Sequence, residues 1–376
     1  MTTTDLPQHP APQPAQHPAL QVALIGYGGA GRIFHAPLIS GVPGLQLNAI
    51  VSSQHAAVLA DWPGVRSLAS ASAALADPAI DLVVIATPNA SHFELAQSAL
   101  NAGKHVVVDK PCTVTLAETD TLLALAKVRG KVLTVFQNRR FDSDFLALQQ
   151  VIESGALGRL VQVDSHFDRY RPTVPVRWRE QNMPGAGLWL DLGAHLVDQA
   201  LMLFGLPDEV SLDLAALRDG ALVNDWFHAV LRYTTRHGGL RVVLHASTLV
   251  AELGPRWAVH GTRGSFTKFG LDTQEDALKT GERPQLDDAQ GWGVDVEPGA
   301  VLSFETIAGV AAPLSMRRAA PNPAGNYLRY YAQLRDHLWG LAPEPAVTPA
   351  QVRAVMQVLS LGEQSAATGQ FVALRS

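Results

Sequence analysis

Between Leu20 and about Gln137 the chain alternates short aliphatic runs with longer stretches of helical periodicity, a rhythm that predicts βαβ units and a parallel sheet. The predicted strands are Gln21 to Ile25, Leu45 to Val51, Leu82 to Ala86, His105 to Val108 and Lys131 to Phe136, with helices over Ser91 to Ala102 and Leu116 to Val128. The run Leu82-Val-Val-Ile-Ala86 has no polar alternation, as expected of a central strand covered on both faces. After Phe141 the pattern changes. A helix from about Asp144 to Ser154 leads through Gly155 and Gly158 into alternating segments: Leu160 to His166, Val210 to Leu217, Trp226 to Tyr233, Leu240 to Ser247 and Arg256 to His260. These predict a mostly antiparallel sheet with one face packed and one open. A helix from about Asp191 to Phe204 interrupts them, stopped by Gly205 and Pro207. Residues Gly281 to Ala324 read as loops and short strands, and helices over Tyr327 to Trp339 and Pro349 to Thr368 finish the chain, with no internal repeat.

A chain of 376 residues exceeds what one core usually supports. Two domains are expected, an α/β unit over residues 20–140 and an α+β unit over 141–376 whose last helix can pack back on the first. With 29 basic and 34 acidic residues the formal charge is -5, so no global field favours nucleic acid or an anionic membrane, and any phosphate site must be local. The single cysteine, Cys112, cannot form an internal disulfide. No apolar run approaches the roughly 18 residues of a membrane span, and a cytoplasmic location is expected. The first nineteen residues, rich in Pro, Gln and His, read as a disordered tail. Their histidines lack anything that would fix ligand geometry, and no residues are assigned to a metal.

Four motifs carry chemistry. Gly26-Tyr27-Gly28-Gly-Ala30-Gly31 follows a predicted strand directly: Gly26 makes the tight turn, Gly28 lets a pyrophosphate approach, and Gly31 lets the next helix pack closely. The helix start then offers N–H groups and a positive dipole to phosphates. Thr87-Pro88-Asn89-Ala-Ser91-His92 stands at the end of the buried strand, where ligands of open α/β sheets bind, although Asn89 or Ser91 as helix caps explains much of it. Asp109-Lys110-Pro111 ends the next strand and aims an ammonium into the crevice, where it can meet a substrate hydroxyl or steady alkoxide charge. In the last motif Asp191, His195 and Asp198 recur at i, i+4 and i+7 after a glycine-rich loop, a polar stripe suited to a substrate floor. His195 can accept a proton, with Asp191 orienting it or binding a hydroxyl. Taken alone, the stripe also reads as a solvated helix face.

Together these residues resemble the glucose-fructose oxidoreductase, inositol dehydrogenase and rhizopine-catabolism (Gfo/Idh/MocA) family. The likeness implies an N-terminal Rossmann domain and a C-terminal α/β domain whose open sheet serves as an oligomer interface, and it implies that Lys110, Asp191 and His195 are catalytic. Asn138-Arg-Arg-Phe-Asp-Ser-Asp-Phe145, Phe167-Asp-Arg-Tyr170-Arg171-Pro172, Arg177-Trp178-Arg-Glu180 and Asp191-Leu-Gly-Ala-His-Leu-Val-Asp-Gln199 are similar to the branch holding NADP-dependent scyllo-inositol dehydrogenase. Asp109 stands where the family has Glu. The expected reaction is hydride transfer between a nicotinamide and a hydroxyl-bearing carbon of a cyclitol or sugar. Tyr170 and Arg171 are expected at the substrate, Asn138 and Trp178 at the cofactor, and Arg169 at either. A regulatory dinucleotide-binding protein without turnover and a glycosidase using the cofactor transiently are the alternatives.

Cofactor choice rests on an absence. NAD-specific sites place Asp or Glu at the end of the second strand, yet no acidic residue lies between Gly31 and Asp61. Ser52 and Ser53 stand there instead, with Arg32 nearby, so NADP is expected over NAD.

Overall fold

The computed structural model describes residues 17–305 and 314–374; most of the predicted tail lies outside them. Of that segment, His17 stacks on Trp339 with ring centroids 5.1 Å apart, and the Trp339 indole N–H donates to the Pro18 carbonyl at 3.2 Å.

The first sheet contains six parallel strands, β1 (Leu20–Ile25), β2 (Leu45–Val51), β3 (Arg66–Leu68), β4 (Leu82–Ile85), β5 (His105–Asp109) and β6 (Leu133–Phe136), in the order β3-β2-β1-β4-β5-β6. This is the dinucleotide-binding order, with its switch point between β1 and β4. Alternate residues of β1 face opposite ways: Val22 and Leu24 enter one apolar cluster, Ala23 and Ile25 the other. Both faces are therefore covered, which accounts for the unbroken apolar run in β4. Helix Leu116–Arg129 begins with a capping box, Thr115 accepting the Glu118 N–H and Glu118 reaching back, so its entry point is fixed by its first four residues.

The second sheet comprises β7 (Leu160–His166), β8 (Glu209–Ala215), β9 (Trp226–Tyr233), β10 (Leu240–Ser247), β11 (Trp257–Gly261), β12 (Gly264–Lys268), β13 (Ala300–Glu305), β14 (Leu314–Ala319) and β15 (Val372–Ala373), ordered β14-β13-β12-β11-β7-β10-β9-β8-β15. Only the β7–β10 pair is parallel. Burial alternates strictly along β9 and along most of β10, as one packed and one open face requires. The region read as loops and short strands contains β13 and β14, just after helix Gln274–Lys279. Helix Pro349–Thr368, with its own capping box at Thr348 and Gln351, packs on helix Leu116–Arg129 of the first domain and on β8 of the second. The larger apolar cluster runs unbroken from Val22 through Phe167 to Leu359. No helix among the described residues is long and apolar enough to cross a membrane.

Candidate active site

The carboxyl ends of β1, β4, β5 and β6 lead into the segments holding most of the predicted site residues. After β1, Gly26 adopts φ 102°. A Cβ there would lie 2.5 Å from the Ala86 carbonyl oxygen, and one on Gly31 would lie 2.1 Å from that of Gly26. Neither position admits a side chain, for reasons of turn and packing. Gly28 and Gly29 differ, since a Cβ on either meets nothing within 4 Å. That open ground borders a cleft of about 590 Å³ whose walls include Tyr27, Arg32, Gln54, Asp61 and residues 278–283 of the second domain. The helix opening here contains a π turn, Gly31–His35, and its N-terminal end lies against the cleft. Backbone without Cβ atoms, a helix N-terminus and a cleft of this size fit a dinucleotide.

At the outer end of this cleft a network is built around Asp61. The Tyr27 hydroxyl donates to it at 2.8 Å and Arg32 pairs with it at 2.9 Å. Burial, reinforced by the Asp61 carboxylate, pushes the Tyr27 phenol up to about 12. Arg283 lies 4.1 Å over the Trp62 ring and donates to the Asp61 carbonyl. Asp61, Trp62 and Arg283 had no signal in strand patterns, because they reach the site from a helix end and from the other domain. Ser52 and Ser53 follow β2 as expected, but Gln54, not either serine, lines the cleft. The Ser52 hydroxyl accepts the Gln54 N–H at 2.9 Å.

The Thr87–His92 loop departs from its expected capping role. Ser91 stands at the N-cap of helix His92–Asn101, but neither its side chain nor that of Asn89 makes a capping hydrogen bond. The Ser91 hydroxyl donates to the Pro88 carbonyl at 2.8 Å and lies 2.7 Å from the Thr87 hydroxyl. Asn89 Nδ2 donates across to the Gly185 carbonyl of the second domain at 2.7 Å. His92 is buried and lines neither cleft; its nitrogens lie 3.0 Å from the Pro111 and Thr87 carbonyls, tying two site loops together from behind.

Deeper in, a cleft of about 280 Å³ gathers Ala30, Asp109, Lys110, Asn138, Arg171, Asp191 and His195. Lys110 Nζ donates to Asp191 Oδ1 at 2.6 Å and to the Asp191 carbonyl at 2.5 Å. Burial draws the Lys110 pKa down, against the pull of Asp191. Burial alone would raise Asp191, but Lys110 and Arg179 together hold its carboxylate well below the usual range. Asp109 Oδ1 accepts the Lys110 N–H at 2.8 Å, so the shorter acid turns back on its own loop. Asp191 belongs to a π turn, Trp189–Gly193, leading into helix Ala194–Phe204, a distortion found often at functional sites. Burial, with Lys110 and Arg139 adding to it, holds His195 well below its ordinary 6.5, so the imidazole is neutral. Its Nδ1 is enclosed and has no hydrogen-bond partner among the described residues. Asp191 therefore engages Lys110, not the His195 ring.

Three of the residues expected from the second domain do not join the cleft, and Thr87, Pro88 and Asn89 line neither cleft. Asp198, third member of the stripe, forms a buried pair with Arg140 at 2.6 Å. The helix places it two turns beyond Asp191, under β6 and the last helix. Tyr170 is 59% exposed on a bridge to Leu249. Trp178 lies under the Arg179 guanidinium at 4.7 Å, and it is Arg179 that reaches Asp191, at 3.4 Å. Arg139, Arg169, Arg179 and Glu275 also line the cleft. The first three sit inside the quoted motifs, whereas Glu275 lies in a short helix with no motif.

Residues 20–137 match the family described as "Oxidoreductase family, NAD-binding Rossmann fold", and residues 145–267 match the GFO/IDH/MocA C-terminal domain. The chain is 50% identical to the uncharacterized oxidoreductase YdgJ of Escherichia coli over 92% of its own length and 96% of that protein. It is 36% identical to the scyllo-inositol 2-dehydrogenase (NADP(+)) IolW of Bacillus subtilis, covering 92% and 94%. The solved structure of the putative oxidoreductase YPO2259 from Yersinia pestis superposes with a TM-score of 0.88 at 47% identity, over 97% of this chain and 99% of that one. With both domains matched and the dinucleotide-binding strand order in place, the chain belongs to the GFO/IDH/MocA family of oxidoreductases.

Proposed function

We propose that this protein interconverts a secondary alcohol and a ketone on a cyclitol or sugar of the inositol type, with NADP as the preferred cofactor. The observation that carries this reading is the convergence of Lys110, Asp191 and neutral His195 in one cleft beside the glycine turn. A bound nicotinamide supplies the hydride acceptor or donor. The Lys110 ammonium and Asp191 carboxylate, already paired, hold a substrate hydroxyl and fix its orientation. His195 accepts the hydroxyl proton on Nε2, the nitrogen that the fold leaves accessible, and returns it when the ketone is reduced. The Lys110 charge beside the reacting oxygen steadies developing alkoxide. A panel of cyclitols, sugars and keto sugars with each cofactor, followed by nicotinamide absorbance, tests the reading. Turnover of at least one cyclitol or sugar is expected, and none across the panel would overturn it.

The preference for NADP draws support from the missing acid at the end of β2 and from the NADP dependence in the name of the IolW relative. Arg32 is engaged by Asp61, but the arginine side chain is 57% exposed, and exposed pairs contribute only about 0–1 kcal/mol. A phosphate at Ser52 and Ser53 can therefore draw Arg32 away. Catalytic efficiency is expected to be higher with NADP than with NAD on one substrate, and Arg32→Ala is expected to narrow that ratio. A higher efficiency with NAD would reverse the assignment.

The partners in this reading are a small polyol or sugar and a second copy of the chain. The open face of the second sheet presents Val230, Val243, Leu302 and Phe304, apolar surface suited to a symmetric contact. Sedimentation at micromolar concentration is expected to give a multiple of the 40.2 kDa chain mass; a monomer would exclude the contact.

A further inference from the structure

On the open face of the second sheet, away from the catalytic cleft, three side chains converge that the oxidoreductase chemistry does not use. His166 closes β7, His245 stands directly opposite it on β10, and Asp168 follows two residues after β7. We propose that His166, Asp168 and His245 form a binding site for a divalent first-row transition ion of the zinc class.

His166 is hydrogen-bonded to Asp168, and the three residues together also have the spacing of a coordination sphere. One ligand atom from each residue lies within 4.8 Å of the other two. Asp168 Oδ2 is 3.2 Å from His166 Nδ1, and Asp168 Oδ1 is 3.5 Å from His245 Nε2. Ligands about 2.0–2.2 Å from a tetrahedral zinc ion lie roughly 3.3–3.6 Å apart, and each imidazole stands near that spacing from one of the two carboxylate oxygens. The Asp168 side chain is only 9% exposed, yet its buried Oδ1 has no hydrogen-bond partner among the described residues. A buried carboxylate oxygen without a donor carries a desolvation cost, which a cation would remove. Two imidazoles with one carboxylate suit zinc, cobalt or nickel; magnesium and calcium take oxygen ligands.

The surroundings hold the ligands in place and leave a way in. The Trp226 ring meets His245 edge-on at 5.5 Å, and His228 is its cross-strand neighbour on β9. Arg256, which lines the neighbouring cleft, is balanced by Asp144 at 3.3 Å. A cleft of about 330 Å³ opens beside His166 and Asp168, providing an entry path and room for a water or further ligand. Asp168 directly precedes Arg169, which lines the catalytic cleft, so an ion here would anchor the strand exit that presents Arg169.

The test uses the full-length protein in its native assembly, freed of metal by chelator and dialysis. Titration calorimetry with Zn(II) is expected to show one ion per chain, with no comparable binding of Mg(II). Co(II) is expected to give the visible ligand-field absorption of a low-coordinate nitrogen–oxygen site. His166→Ala, His245→Ala and Asp168→Asn should each weaken binding at least about tenfold, while His260→Ala, on the same face, should leave it unchanged. Anomalous diffraction from wild-type crystals grown with Co(II) provides a measurement that does not depend on the variants folding. A peak between the three side chains is expected. No ion bound, or a peak elsewhere such as at the N-terminal histidines, would overturn the proposal.

Discussion

Replacing His195 or Lys110 with alanine is expected to lower turnover at least about a hundredfold, since positioned acid–base groups typically supply 10² to 10⁴ in rate. Cofactor affinity should stay within a few fold, because the glycine cradle lies at the end of a different strand. The two variants should differ in their pH behaviour. In the alcohol-oxidising direction His195 must be deprotonated, so catalytic efficiency falls as pH drops through its pKa. Burial, Lys110 and Arg139 hold that pKa well below 6.5, which places the acidic limb below pH 6.5 in the native enzyme. Lys110→Ala removes one of the positive charges, so His195 should regain a proton at higher pH and the limb of the residual activity should move upward. Near-normal turnover in either variant, or an unmoved limb in Lys110→Ala, would refute the roles assigned.

The second large effect is on stability. Asp198 Oδ1 and Oδ2 accept from Arg140 at 2.6 and 2.8 Å, and the two side chains are 2% and 5% exposed. Removing one partner of a buried pair leaves the other charge stranded and typically costs about 3–5 kcal/mol. Arg140 also donates to the Ala346 carbonyl and to Gln351, which ties the pair to the last helix. Asp198→Ala is expected to lower the denaturation midpoint substantially, with the soluble folded fraction keeping its catalytic efficiency. A stable variant with lost activity would instead put Asp198 at the substrate.

How far the sequence foretold this arrangement depends on the range of the forces that set each part. The β-branched runs at Val83-Val-Ile85 and Val106-Val-Val108 announce buried strands by themselves, because their burial on two faces shows in consecutive residues. Arg66–Leu68 escaped notice, being a three-residue edge strand with a charged and a hydroxyl side chain. Lys110, Asp191 and His195 were visible because each sits in a local motif. Glu275 was not, since its place in the cleft depends on packing between distant segments: it pairs with Arg139 and with Lys279 at 2.8 Å. The stripe argument failed at Asp198 because shared helical phase says nothing about what lies above each turn. The first turn of that stripe meets the cleft, and the second meets Arg140.

The unbroken apolar cluster has a consequence for how the molecule can be divided. Val135 and Phe136 at the end of β6, Trp189 before helix Ala194–Phe204, Tyr330 and Tyr331 in helix Leu328–Leu338, and Leu359 in helix Pro349–Thr368 all belong to it. The Thr134 hydroxyl donates to the Val347 carbonyl inside it at 2.8 Å. The first half therefore shares its interior with residues that follow it by some two hundred positions, and during synthesis Phe136 and its neighbours stay without that cover until helix Pro349–Thr368 emerges. The two halves are two sheets, yet they are not two modules. A cut at their boundary would sever a shared interior, and exchanging one half for that of a relative would require the last two helices to travel with it.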